Sequence, residues 1–170
     1  TYGDDSVFVP YIGALYQLTP VHNIYLSQTE IFKPQNAREQ SGQFIDPVTG
    51  INRELGVKSA FADGAVQTSV AVFEVRQDNL AQSTNTTFPE RPTETIYRAA
   101  DGTRSKGFEL AVIGQLSDAW KLSAGYAQFS AEDANGLDVN TEYPRKKLDV
   151  FSTYDLSAQL SGLELGAGIS

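Results

Sequence analysis

Residues suited to chemistry are sparse along this chain. His22 is the only histidine, standing beside Pro20 in "TPVH". A catalytic imidazole or a metal ligand needs partners at set spacings, and none surrounds it. His22 therefore reads as a solvated turn residue. The chain has no Cys, which removes disulfides, thiolate metal sites and Cys nucleophiles. "LGAGIS" contains a Gly-x-Gly with no helix to follow it, and "GTRSKG" lacks the spacing of a phosphate-binding loop. Ser and Asp are plentiful, yet a Ser-His-Asp triad has only a turn-bound His to draw on, and no spacing singles out a carboxylate pair. The residues argue against an enzyme.

Binding chemistry is better represented. The polar connection over 79–104, "LAQSTNTTFPERPTETIYRAADGTR", carries Phe88, Arg91, Tyr97 and Arg98. Rings offer flat apolar contact, and guanidinium forks meet anionic oxygens with paired donors. Together they suit a ligand that presents both. The plainer reading is that a long loop uses such residues for its own packing. Phe32, in "TEIFKPQN", could pack inward near the same pocket, while Pro34 lacks an N–H and suits a strand leaving its ladder.

The elements that must position these residues are strands. Period-2 alternation dominates, and helical periodicity is nearly absent. Eight segments alternate. Their apolar sets are Ile12, Ala14, Tyr16 and Leu18; Ile24 and Leu26; Leu55, Val57 and Phe61; and Val66, Thr68, Val70 and Val72. The later four sets are Phe108, Leu110, Val112 and Leu116; Trp120, Leu122, Ala124 and Tyr126; Leu148, Val150, Tyr154 and Leu156; and Leu163, Leu165, Ala167 and Ile169. Gly166 and Gly168 fall on the opposite, polar face of the last segment. No run approaches the ~20 apolar residues of a membrane helix, whereas strands of roughly ten residues are near the length that crosses a bilayer at a tilt.

The connections alternate too. "TPVH", "ADG", "SDA" and "SAQLSG" are short; those near 32–50, 79–104 and 131–144 are long and polar. Outer-membrane barrels have short periplasmic turns and long extracellular loops, a rhythm that a soluble sandwich has no reason to keep. Tyr16, Phe61, Trp120 and Tyr154 all sit on the apolar face close to a short turn. That placement fits an aromatic girdle at one membrane interface. The polar face would then look into a wet lumen or onto a plug. A net charge of −8 over 170 residues argues against nucleic acid, which requires a basic surface.

The stretches "VPYIGALYQLTPVHNIYLSQTEIFKPQN", "DPVTGINRELGVKSAFADGAVQTSVAVFEVRQDNLA", "YRAADGTRSKGFELAVIGQLSDAWKLSAGYAQFSAEDANG" and "NTEYPRKKLDVFSTYDL" resemble, in the same order, the barrel of TonB-dependent ferric-siderophore receptors. Receptors for hydroxamate-type and pyoverdine-like siderophores are nearest. The resemblance implies an all-β fold: an antiparallel transmembrane β-barrel segment of eight consecutive meander strands, out of about 22 in the whole barrel. It implies location in the bacterial outer membrane, with lipid outside the wall. It further implies a ferric siderophore as cargo rather than a resident cofactor, and energy delivered by TonB with ExbB and ExbD through a plug. Neither plug, TonB box nor closing strands occur in these residues. The start at Thr1-Tyr2-Gly3-Asp4-Asp5 and the stop at "LELGAGIS" suggest a piece of a longer protein, more than a complete small barrel. The other readings are a passive porin-like channel and a soluble β-sandwich binding module.

Overall fold

The computed structural model describes residues 7–139 and 144–170. The Thr1–Asp5 start and residues 140–143 of the 131–144 connection lie outside the described residues. Ten strands form: β1 Tyr11–Gln17, β2 His22–Lys33, β3 Val48–Phe61, β4 Val66–Asp78, β5 Leu80–Phe88, β6 Arg91–Ala100, β7 Thr103–Ser117, β8 Trp120–Glu132, β9 Lys146–Asp155 and β10 Glu164–Ile169. Eight of them make one antiparallel sheet in the order β1-β2-β3-β4-β7-β8-β9-β10, and β5 pairs only with β6. The sheet is open, since β1 and β10 end the order without pairing to each other.

The eight alternating segments are these eight strands, and their faces agree with the alternation. One row of cross-strand partners runs Tyr16, Ile24, Val57, Val70, Leu110, Tyr126, Leu148. The next runs Ala14, Leu26, Leu55, Val72, Phe108. These side chains are not buried in a core: Leu26 is 57% exposed, Val70 50% and Val72 53%. A contiguous exposed apolar face of this kind marks a surface built to meet something apolar.

The opposite face carries Tyr25, Glu54, Lys58, Glu109, Lys147 and Asp149, with Phe73, Ile113, Phe129 and Phe151 among them. Gly107 lies between Phe73 and Phe129 in its row, and a β-carbon there would stand 2.7 Å from atoms of each. Gly166 and Gly168 sit under the Phe151 ring in the same way. The alternation had marked those positions as small without showing the ring that needs the space.

Short turns close one end. At the first, the Thr19 hydroxyl accepts hydrogen bonds from the Val21 and His22 amides at 3.2 and 3.0 Å. His22 is no solvated turn residue, however. It opens β2, half-buried, with Nδ1 2.7 Å from the Ser59 hydroxyl and its ring edge against Phe61. The strand begins one residue earlier than the alternation suggests, because the His22 carbonyl accepts the Leu18 and Thr19 amides at 2.9 and 3.2 Å and so already closes the hairpin. The second turn is a single 3-10 turn, Ala62–Gly64, with all three residues at positive φ.

The largest departure from expectation is the connection over 79–104. It is not an irregular loop but a second hairpin, β5–β6. "AQSTNTTF" and "TETIY" are rich in β-branched residues, which favour strands. They lack an apolar alternation because the hairpin stands clear of the main sheet.

Two outcomes follow from this architecture. The 170-residue segment made alone, without detergent, should aggregate through its apolar face and its two unpaired edges; a monodisperse monomer by light scattering would contradict this. In the full-length barrel, Gly107→Val should cost roughly 1–3 kcal/mol through overpacking, read as a lower unfolding temperature in detergent.

Candidate functional site

The long connections gather at the end opposite the short turns, and nearly all the buried side chains are there. Ile45, Val48, Phe88, Ile96, Ala100, Thr103, Ala131 and Val139 are 1–9% exposed; Ala71, in mid-sheet, is the exception. This end is a small packed domain rather than a fringe of loose loops.

Its foundation is a kink in the β4–β7 pair. Beyond the Gln77–Thr103 pairing, Asn79 and Gly102 both take positive φ, 59° and 63°. Each is held by the aspartate preceding the other. The Asn79 amide donates to Asp101 Oδ1 at 2.9 Å, and the Gly102 amide donates to Asp78 Oδ1 at 2.7 Å. Asn and Gly are the residues that enter the left-handed region most readily. The ladder then resumes at Leu80 and Ala100 as β5–β6. "DN" and "DG" are turn dipeptides and were legible as punctuation; their pairing across 22 residues was not.

The 34–47 connection locks onto this kink. β2 keeps its ladder through Lys33, paired with Val48, so Pro34 is the first residue outside it. The Gln35 side-chain amide donates to the carbonyls of Asp46 and Asn79, at 2.5 and 2.6 Å, while Asn79 Nδ2 donates to Pro47 at 3.2 Å. Arg38 is the hub. Its guanidinium lies 3.6 Å from the centre of the Phe44 ring, donates to Gly42 at 2.7 Å and faces Glu94 of β6 at 3.3 Å. Its carbonyl accepts the Tyr97 amide at 2.8 Å.

The residues after β8 pack on the other side. Gly102 leaves 3.3 Å between its missing β-carbon and that of Ala134. The Asp133 carboxylate caps its own turn, accepting the Asn135 and Leu137 amides at 2.8 and 3.0 Å. The Leu137 amide first, then that of Asn135 and the nearby Arg98 charge, hold the Asp133 carboxyl below its usual range.

The residues singled out from sequence fall into three settings. Phe88 and Arg91 meet at the hairpin tip: Phe88 is buried, and the Arg91 guanidinium covers its ring at 4.6 Å while pairing with Glu94 at 2.5 Å. Tyr97 and Arg98 are neighbours on β6 and so point to opposite faces of the hairpin; Arg98 donates to Gln82 at 2.5 Å. The four do not converge on one point. Phe32 differs from its expected inward packing: it shares the face of Leu26, not that of Tyr25, because β2 and β3 pair without a bulge. Tyr16, Phe61, Trp120 and Tyr154 all lie on the apolar face beside the short turns, and Trp120 Nε1 donates to the Ser152 hydroxyl at 2.7 Å. Arg38, Phe44 and Glu94 were missed, as single residues in polar sequence with no spacing to announce them. No group of three or more His, Cys, Asp or Glu side chains able to hold a metal forms among the described residues.

An open meander of amphipathic strands, short-turned at one end and bearing a packed loop domain at the other, matches a known family model. The model for the TonB dependent receptor-like beta-barrel matches residues 1–169. The chain belongs to this family. Among its relatives, the ferric-pyoverdine 358 receptor of Pseudomonas putida is 36% identical over 165 residues, which is 97% of this chain and 20% of that protein. The solved alcaligin outer-membrane receptor of Bordetella pertussis is 39% identical, with a TM-score of 0.70 over 95% of this chain and 28% of that one. The outer-membrane ferripyoverdine receptor of Pseudomonas aeruginosa, solved bound to ferripyoverdine, gives 31% identity and a TM-score of 0.76 over 97% of this chain and 22% of its own. The chain thus spans about a fifth of the length of the curated relatives it matches, as a segment of a TonB-dependent receptor barrel of the outer membrane.

The clasp and the cap make separate forecasts. In the full-length receptor, Asp78→Ala or Asp101→Ala should each remove about 1 kcal/mol from the hairpin's closure, seen as faster hydrogen exchange over 80–100 with β2–β4 unchanged. Because the folded Asp133 carboxyl is depressed, its contribution is complete above the usual aspartate range and is lost as pH falls through the folded value. Amide protection in 133–139 should therefore persist at neutral pH and fall only in acid, and Asp133→Asn should abolish that dependence.

Proposed function

We propose that the chain is wall and extracellular loop domain of a TonB-dependent importer of a ferric siderophore. The carrying observation is the match over residues 1–169 to the receptor-barrel family, with relatives named as ferric-pyoverdine receptors at 36% identity. In this reading the eight strands are part of a barrel of about 22 enclosing a plug. The apolar face lies against lipid, with Tyr16, Phe61, Trp120 and Tyr154 as the periplasmic girdle. The polar face, with Glu54, Lys58 and Glu109, lines the lumen against the plug. TonB, driven by ExbB and ExbD, acts on that plug to release the cargo inward. The segment itself does no bond chemistry; it binds and encloses, and the iron travels as cargo.

The extracellular domain supplies the first contact with ligand. Its interlocked hairpin and loops form a largely preformed surface, as selective binding sites require. Tyr97 and Arg98 are the ligand-binding candidates, one on each face of the hairpin, so that a ligand on either face meets one of them; Phe88 and Arg91 act by stiffening the tip; Phe32, on the outward face, stands outside the set. In the full-length receptor, Tyr97→Ala or Arg98→Ala should weaken ferric-siderophore binding by ~10-fold or more, the loss of a charged or buried aromatic contact. Arg91→Ala should act on hairpin order instead. Titration of the purified receptor by intrinsic fluorescence separates these, and unchanged affinity in both Tyr97 and Arg98 variants would remove the hairpin from the site.

A further inference from the structure

The two faces of the β5–β6 hairpin are not alike. Paired residues share a face, and neighbours along a strand alternate. Ile96 and Ala100 therefore lie on one face with Arg98, and both are buried, at 9% and 5% exposure. Tyr97 lies on the other, paired with Ser83 and next to the Thr87–Thr95 pair, and no residue on that face is buried. The Tyr97 face is also free of charge. Of the four charged residues between Leu80 and Ala100, Glu94 and Arg98 alternate onto the packed side, and Glu90 and Arg91 sit at the tip.

The hairpin ladder is interrupted beside Tyr97. Between the Ser83–Tyr97 and Thr87–Thr95 pairs, β5 has three residues, Thr84, Asn85 and Thr86, against Ile96 alone on β6. The bulge is pinned from inside: Thr84 Oγ1 donates to the Ile96 carbonyl at 2.8 Å and stands 2.6 Å from Thr86 Oγ1. The Asn85 amide donates to Ser83 Oγ at 3.1 Å, and Asn85 takes a φ of 58°. Glycine would hold that φ without strain, whereas Asn brings a carboxamide to it. The carboxamide is exposed, with Oδ1 3.4 Å from the Ser83 hydroxyl, and its Nδ2 makes no hydrogen bond among the described residues. Bulges commonly re-aim a side chain next to a functional site.

We infer that the Tyr97 face is the ligand face of the hairpin, and that Asn85 is a specificity residue reading an uncharged amide group of the cargo. The inference rests on the importer reading above. Charge complementarity selects the occupant. An anionic group brought to this face would give up water with no cation to meet it. An uncharged group finds hydroxyls, a carboxamide and a ring. The carboxamide offers both donors and an acceptor, the complement of another amide, while the Tyr97 ring supplies apolar contact beside it. The Tyr97 amide is already bound to the Arg38 carbonyl at 2.8 Å, so a braced strand presents the ring. The anionic oxygens around the iron are left to other parts of the receptor.

The test titrates the full-length receptor in detergent by intrinsic fluorescence. The probes are ferripyoverdine and ferrioxamine B, which carry amides, and ferric citrate, which carries none. An amide-bearing probe should bind, and Asn85→Gly should weaken it by about threefold to tenfold, as loss of one neutral hydrogen bond or two predicts. Hydrogen exchange over 80–100 should stay unchanged in that variant, because glycine keeps the bulge. Asn85→Asp also enters the left-handed region but replaces donors by charge, and should weaken binding at least as far. Wild-type affinity in both variants overturns the inference and leaves the importer reading standing. A loss in Asn85→Gly that comes with faster exchange over 80–100 overturns it too, since Asn85 would then serve the bulge alone. A receptor that binds ferric citrate only keeps the importer reading and sinks the amide assignment; one that binds none of the three sinks both.

Discussion

Everything in this segment hangs on an unslipped antiparallel register. Side chains alternate with a period of two, so a shift by one residue would carry every apolar side chain to the other face. From β2 through β4 and across to β7 the pairings run without a break. Among the described residues, the one register irregularity in the main sheet falls between Gln115 and Ser117, beside a short turn. Because no helix packs on the sheet among the described residues, faces are sorted by register alone. The exposed leucines and valines and the glycines beside Phe73 and Phe151 are all consequences of the same count.

Between β4 and β7 the ladder is broken at the kink, and in a controlled way. Asn79 and Gly102 turn left-handed opposite each other, and Asp78 and Asp101 close the gap with reciprocal hydrogen bonds. A symmetrical kink re-aims the pair as a unit instead of unravelling it. The loop domain then has a rigid stem, against which Gln35, Arg38 and Ala134 settle. Its stability is of a different kind from that of the wall: buried valine, isoleucine and alanine here, ladder hydrogen bonds there.

This division explains what was legible beforehand. The wall could be read almost residue by residue, since each strand advertises its faces by alternation and each is nearly as long as its apolar pattern. Ends were less clear; β3 starts at Val48 although its alternation is visible only from Leu55. The β5–β6 hairpin was invisible because "STNTT" is polar on both faces, and a period-2 signal needs contrast. His22 was misplaced because a lone imidazole beside Pro20 looks like a turn, and only the Ser59 pairing shows otherwise. In the candidate site, Phe88, Arg91, Tyr97 and Arg98 were found by type, but their division between tip and opposite faces depends on β6 being a strand. Arg38 and Glu94 depend on contacts across more than fifty residues, which no local pattern encodes.

The kink also bears on how such a protein can change over time. The hairpin joins the wall through a single residue pair on each side, and its clasp is made entirely by Asp78, Asn79, Asp101 and Gly102. Sequence between Leu80 and Ala100 can be lengthened, shortened or exchanged without moving any residue of β4 or β7 in its ladder. A lineage can thus trade this hairpin for another while inheriting its eight-stranded sheet intact, and the cut points for such an exchange are written in four residues.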